Sequence, residues 1–289
     1  MRSVVFVTHE EHRYTHELFA RVMRDDHDLP VHVADYAAPG RVPVADALVV
    51  LCDLERFAAA DRPRLVEAED ELRRRGAGRV LNSPSRVKTR LELLRHLAEV
   101  GLNEHRAAAL DGGQHLRYPV FLRGDRDHDG PRTALLHSAA EVRAAVAAAG
   151  PGGPDLVVEF ADCRRRPADL FHKYGAVGWC GQVIPRHLFF SPDWSVKRPR
   201  RTTDEQIARE AAYIAANEHA ARVAEVFAEA GIDYGRIDFA ARPTGGIITF
   251  EINTNPAILD EGDLVNERRR YVTRTFLTSM SAAFTAALG

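Results

Sequence analysis

The chain has 289 residues, a formal net charge of −2 and a pI near 6.7, so it can bury a sizeable core in two or three lobes and exerts no global pull on nucleic acid or an anionic membrane. No apolar run reaches the length of a membrane span, and Met1-Arg2 enters a strand with no export pattern ahead of it. Cys52, Cys163 and Cys180 are too few and too scattered for a disulfide frame or a zinc site, which points to a soluble cytoplasmic protein.

Residues 1 to about 80 alternate strand and helix. Ser3 to Thr8, Val31 to Asp35, Ala47 to Leu51 and Arg79 to Asn82 read as strands. Glu10 to Arg24 and Arg62 to Arg75 read as helices, the second closed by Gly76. This rhythm predicts an open, mostly parallel sheet. No G-x-G-x-x-G follows the first strand, which argues against a dinucleotide site. His12 and His16 lie one turn apart, where they either offer nitrogens to a transition metal or form an exposed helix start. Loops at the carboxyl ends of strands form the ligand crevice of open α/β sheets, so Glu10 or Glu11 could also hold a substrate amine there.

Ser85 is placed to cap a helix that runs to Val100 and stops at Gly101, with Val87, Leu91, Leu94 and Ala98 as its buried stripe. Tyr118 to Arg123 and Thr133 to Ser138 read as strands, and Ala139 to Ala149 as a helix. Pro151-Gly152-Gly153-Pro154 breaks the chain before a buried strand from Leu156 to Ala161. Leu170 to Pro185 reads as a hairpin that turns at Gly178 or Gly181. Lys197-Arg198-Pro199-Arg200-Arg201 concentrates positive charge, as a solvated face or as a steering patch for an anionic substrate. Thr203 and Gln206 form a capping box for one long helix ending at Gly231. Residues 264 to 288 close the chain as an amphipathic helix with Tyr271, Phe276, Met280 and Phe284 facing a core or a partner.

The most informative stretch runs from Gly235 to Ile258. Two alternating segments flank Arg242-Pro243-Thr244-Gly245-Gly246, which is turn chemistry. Symmetric pairing about the Thr244–Gly245 bond sets Asp238 opposite Glu251 and Arg236 opposite Asn253, all four on one face. Ile237, Phe239, Phe250 and Ile252 then face a core. Two carboxylates and an amide oxygen suit Mg²⁺, which also relieves the repulsion between carboxylates directly opposite each other. A polar cluster with both acids paired to nearby arginines is the other reading of the same residues.

Arg-x-Asp followed at this separation by Glu-x-Asn-x-x-Pro resembles the metal-binding end of the ATP-grasp superfamily. The likeness is greatest to D-alanine–D-alanine ligases, glutathione synthetases and the amino-acid ligases that modify peptides. It implies an α/β chain in which an ATP-grasp fold follows a small open α/β N-terminal lobe. The lobes would be residues 1–84, then 85–161 with the adenine hinge, then 162–289 with the metal site. The implied activity is an ADP-forming ligase that joins a carboxylate to an amine, from an amino acid or peptide, through an acyl phosphate. A small-molecule kinase and a non-catalytic ATP-binding regulator are the alternatives on the same fold, and a homodimer is compatible with it.

The resemblance also implies roles. Asp238, Glu251 and Asn253 would hold Mg²⁺ or Mn²⁺, and Arg236 would stabilise the acyl phosphate and the tetrahedral oxyanion. Only three of the 39 basic residues are lysines, and all three, Lys88, Lys173 and Lys197, fall in the segment of resemblance. Lys88, Arg123 (ending a strand where the family has lysine) and Lys197 would reach the phosphates of ATP. Glu159, Phe160 and Ala161 would form the adenine hinge, with Asp162 or Asp169 toward the ribose. Lys173 and Arg186, on the 170–185 hairpin, would face the γ-phosphate and acyl group. Residues 124 to 130 stand where the family has a glycine-rich flap over the phosphates but carry two glycines and three aspartates, and a surface hairpin turn is the other reading. Glu251→Ala is expected to abolish turnover and leave the fold largely intact.

Overall fold

The computed structural model describes residues 1–37, 44–150, 152–164, 169–199, 201–242 and 245–289. Pro151, Arg200 and the turn residues Pro243 and Thr244 lie outside the described residues. Three sheets carry the chain. The first has the order β2-β1-β3-β4 and only parallel pairs: β1 (Ser3–Thr8), β2 (Val31–Asp35), β3 (Ala47–Leu51) and β4 (Arg79–Leu81). Its connecting helices include α1 (Tyr14–His27) and α2 (Arg62–Arg74). β3 is buried along its whole length, as the unbroken run ALVVL demands of a central parallel strand.

The second sheet is antiparallel, in the order β11-β10-β8-β9, from β8 (Phe171–Trp179), β9 (Gln182–Ser191), β10 (Tyr234–Ala241) and β11 (Ile247–Asn253). The third is small and antiparallel: β5 (Ala107–Ala109), β7 (Leu156–Glu159) and β6 (Val120–Arg123). Two large apolar clusters tie the first sheet to the second. Val5, Val49 and Leu51 belong with Tyr174, Ile237 and Phe239. Phe6, Phe19 and Val50 belong with Trp179, Tyr234 and Phe284 of the C-terminal helix α8 (Arg270–Leu288). The third sheet has its own, smaller cores around Leu94, Phe121 and Val158 and around Val120, Leu122 and Val157.

Several expectations are corrected. Helix α3 is Arg90–Glu99, capped by Thr89 in a box with Glu92, not by Ser85. Its buried positions are Arg90, Leu93, Leu94 and Leu97, because the later start rotates the stripe. Residues 133 to 138 make no strand, only one bridge from Leu136 to Val120. Helix α4 (Ala139–Ala149) stands as expected. The hairpin of β8 and β9 turns at Cys180-Gly181, both with positive φ, and runs on to Ser191. The expected long helix is two, α5 (Asp204–Ala216) and α6 (Ala220–Ala230), separated at Asn217, which takes the left-handed conformation and donates to the Val183 carbonyl. The closing segment is likewise divided, into α7 (Glu261–Val265) and α8, and Tyr271 is exposed while Phe276, Met280 and Phe284 are buried. No helix among the described residues is long and apolar enough to cross a membrane.

Candidate active site

A cavity of about 450 Å³ opens between the second and third sheets. At one end Phe121, Phe160 and Trp194 form an aromatic wall, with Phe121 and Trp194 ring centroids 4.9 Å apart and Phe250 nearby. At the other lie Arg186, His187, Arg198 and Arg269. Between the two ends stand Arg123, Lys173, Arg236, Asp238 and Glu251.

The hairpin of β10 and β11 has the register read from its sequence, with Asp238 opposite Glu251 and Arg236 opposite Asn253. A bulge follows: Phe239 pairs with Thr249, so Phe250 is an extra residue on β11. Phe250 therefore lines the cavity beside Glu251 instead of joining Ile237, Phe239 and Ile252 in the core.

Both carboxylates carry cations. Asp238 receives Lys173 Nζ at 3.0 Å and Arg236 Nε at 2.8 Å. Burial works against its charge, but Arg236 and Lys173 outweigh burial and hold its carboxyl below the usual range. Glu251 Oε2 accepts from Arg90 and Arg123, each at 2.9 Å, and Oε1 lies 3.8 Å from His128 Nδ1. Burial opposes ionisation here too, yet Arg123, His128 and Arg90 hold Glu251 well below the carboxylate range. The pairing with arginines that the sequence offered as the alternative is thus present. Asn253 Oδ1 accepts from the backbone N–H of Asn255 at 2.7 Å and keeps a second lone pair. Two adjacent ionised carboxylates fit an ion that arrives with a nucleotide, since Mg²⁺ takes one or two carboxylates plus phosphate oxygens. Asn253 is buried and outside the cavity lining. No cluster of three His, Cys, Asp or Glu side chains suited to a metal occurs among the described residues.

The 124–130 loop is pinned. Arg90 donates to the carbonyls of Gly124, Asp125 and Asp127 as well as to Glu251. Asp125 accepts from the N–H of Leu91 in the first turn of α3, which suits an acid at a helix N-terminus. Asp127 and Asp129 pair with Arg132. The acids of this loop are thereby compensated, and His128 Nε2 reaches Glu55 Oε1 at 3.0 Å on the first lobe.

Of the residues singled out by sequence, Lys173, Arg186, Lys197, Arg123, Phe160, Ala161, Arg236, Asp238 and Glu251 line the cavity. Besides Asn253, four others do not: Lys88, Glu159, Asp162 and Asp169. Lys88 precedes α3 and donates to the Glu229 carbonyl on the surface, because the helix begins later than expected. Glu159 is consumed by Arg106 and by the backbone and side chain of Arg117, which fasten β7 to the segment before β6. Asp169 pairs with Arg164 in solvent, and so does Asp162. His16 is buried against the hydroxyl of Tyr234, and His12 contacts Asp53, so the two histidines do not converge. Glu10 and Glu11 are exposed. Sequence reading missed Arg90, His128, His187 and Arg269. Thr89-x-x-Glu92 was the available signal for Arg90, since that box fixes where α3 starts.

Three sheets around such a cavity, with an Arg-x-Asp and Glu-x-Asn hairpin in its wall, have the arrangement of the ATP-grasp fold. No protein-family model matches the chain, and no curated protein does. Solved structures do. The chain is similar to D-alanine–D-alanine ligase from Bacillus anthracis, with a TM-score of 0.56 at 10% identity over 100% of both chains. It is similar to N5-carboxyaminoimidazole synthase from Aspergillus clavatus, solved with ADP and 5-aminoimidazole ribonucleotide, with a TM-score of 0.54 at 13% identity over 96% of this chain and 77% of that one. D-cycloserine synthetase DcsG gives a TM-score of 0.52 at 14% identity over 99% of both. Identities this low carry the fold and leave the reaction to the site.

Proposed function

We propose that the chain is an ATP-dependent ligase that joins a carboxylate to an amine and forms ADP and phosphate. The observation that carries this reading is the placement of Asp238 opposite Glu251 in the wall of a cavity that also holds Arg123, Lys173, Lys197 and Arg236. The aromatic end suits a flat base, with the backbone of Phe160 and Ala161 beside it. The lobes are assigned as 1–84, 85–161 and 162–289, with the nucleotide between the last two.

In this reading Asp238 and Glu251, with the free lone pair of the Asn253 amide, would hold Mg²⁺ or Mn²⁺. The ion would offset charge on the phosphate oxygens when bound. Arg123, Arg236 and Lys173, which line the cavity and now balance the two acids, would pass to the phosphates, so charge is exchanged and not created. A substrate carboxylate oxygen attacks the γ-phosphorus, and the bond from phosphorus to the bridging oxygen breaks, releasing ADP and leaving an acyl phosphate. The amine nitrogen then attacks the acyl carbon. The carbon–oxygen bond to phosphate breaks, phosphate leaves with the bonding pair, and the amine gives a proton to solvent. Arg236 and Lys173 face the charge that develops at both centres. Donors already fixed in a partly desolvated cavity need no reorganisation as that charge appears, so they lower the barrier more than the same groups would in water.

The test is phosphate release from MgATP with pooled amino acids and small carboxylates, with hydroxylamine present to trap acyl phosphate. Substrate-dependent phosphate together with a hydroxamate, both lost in Glu251→Gln, is the expected result. ATP consumption that yields a stable phosphorylated product and no free phosphate would make the chain a kinase instead.

A further inference from the structure

Consecutive residues of a strand ordinarily face opposite sides of the sheet. Arg186 and His187 of β9 nevertheless both line the cavity. A bulge is the cause: Gly175 pairs with His187 and Ala176 with Pro185, so Arg186 has no residue opposite it. β9 is the edge of its sheet, where a proline without an N–H is tolerated. The His187 ring lies over Gly175, where any Cβ would collide with it. Phe189 stacks on that ring at 4.0 Å with the planes 8° apart.

Arg186 is only 5% exposed. Its Nε donates to the Ile258 carbonyl at 2.6 Å and its Nη2 to Asp263 at 2.5 Å, and the guanidinium sits 4.8 Å from the Phe276 ring centre. Among the described residues Nη1 has no partner, and neither has Nε2 of His187. Buried polar groups are rarely left this way, and an unpaired guanidinium N–H is among the costliest. The acids nearby are already engaged. Asp263 takes Arg186, Arg198 and Arg269; Glu210 takes Arg269; Asp260 takes Arg198. Burial, then Arg236 and Lys173, keep the His187 imidazole neutral. This end of the cavity has an unfilled guanidinium N–H, an imidazole that can donate through Nε2 in one tautomer, and no unfilled carboxylate among the described residues, so it suits an anion and not an ammonium group.

We propose that Arg186 and His187 form a subsite for a second, non-reacting carboxylate, so that the acid substrate is a dicarboxylate: an acidic amino acid, or a peptide with an acidic side chain. The inference rests on the ligase reading and assigns Arg186 to specificity. It is tested with acids paired with their monoamides: L-glutamate and L-glutamine, succinate and succinamate, Ala-Glu and Ala-Gln. Hydroxamate formation with MgATP should favour the diacid of the preferred pair by at least about 10-fold in kcat/KM, the worth of one charged hydrogen bond. Arg186→Lys keeps a charge beside Asp263 but loses the guanidinium fork, and should bring that ratio toward one through the KM of the acid. Gly175→Ala, which displaces His187, should lower the ratio as well. A ratio near one in the unmodified protein, or an Arg186→Lys effect confined to the KM of ATP, would overturn the subsite. Calorimetry of the same acids with a non-hydrolysable ATP analogue separates the two readings. Selective diacid binding without any hydroxamate removes the ligase and keeps the subsite. Hydroxamate from diacids and monoamides alike does the reverse, and no selectivity in either assay removes the subsite.

Discussion

Glu251 has more positive charge around it than one carboxylate can balance. Arg90, Arg123 and His128 all converge on it, so its removal leaves two largely buried arginines side by side with no anion between them. Glu251→Ala is therefore expected to keep the fold while lowering its stability. It should cost about 3 kcal/mol in chemical denaturation, because breaking one side of a mostly buried ion cluster exposes the remainder to repulsion. Glu251→Gln keeps the volume and an acceptor oxygen, should cost less, and should lose turnover as completely. A second residue-scale outcome concerns His16, whose burial drives its imidazole from 6.5 down to about 3. A lowered folded value means that the unfolded chain binds the proton first. His16 thus contributes full stability above pH 6.5 and loses it as pH falls toward 3, at up to about 1.4 kcal/mol per pH unit. His105, lowered to about 4 by burial, adds to the same slope. Urea denaturation of His16→Gln between pH 4 and 6 should show a slope shallower by about one proton; an unchanged slope would show that His16 is not buried and neutral.

At the scale of elements, helix α3 fixes how Arg90 reaches both Glu251 and the 124–127 carbonyls, and Thr89 fixes where α3 begins. Thr89→Ala should cost about 1 kcal/mol, the usual worth of an N-cap, and Ser85→Ala should cost less than about 0.5 kcal/mol. Equal costs in thermal or urea unfolding would restore the start at Ser85. The same helix shows what a sequence can and cannot disclose. The hairpin register was legible because two polar pairs and a glycine turn leave one pairing that puts all four on a single face. The bulge at Phe250 was not, since F-E-I-N alternates perfectly and an extra residue changes facing without changing composition. The bulge at Arg186 was hidden for the same reason, apart from Pro185 beside it. Lys88 lies off the cavity because α3 starts later than the sequence suggests, and a shift in a helix start is enough to redirect a side chain. Glu159 sits at the expected hinge, yet only the fold brings Arg106 and Arg117 onto it. The division between α5 and α6 carries no glycine or proline, and Asn217 alone signals it.

At the scale of the whole molecule, the cores are unequal. The first and second sheets share two large apolar clusters, whereas the third sheet, which supplies Phe121, Arg123 and His128, closes over smaller ones. Stability is distributed with buried apolar contact, so segments with the least of it open first. Polar links also hold the segments around the third sheet to the rest: Arg90 and Arg123 to Glu251, His128 to Glu55, and Asn103 Nδ2 to the Thr249 carbonyl at 2.9 Å. Native-state hydrogen exchange should therefore find the amides of β6 and β7 opening at a lower free energy than those of β1 and β10. MgATP at about 100 times its Kd should stabilise the molecule by about 2.7 kcal/mol and protect β6 and β7 most, since they wall the cavity. Exchange in β6 and β7 as slow as in β1 without nucleotide would refute the ranking of the cores. Slow exchange that appears only with MgATP would link closure of the third sheet to nucleotide binding, because a ligand can shift an opening equilibrium only through contacts it makes in the closed state.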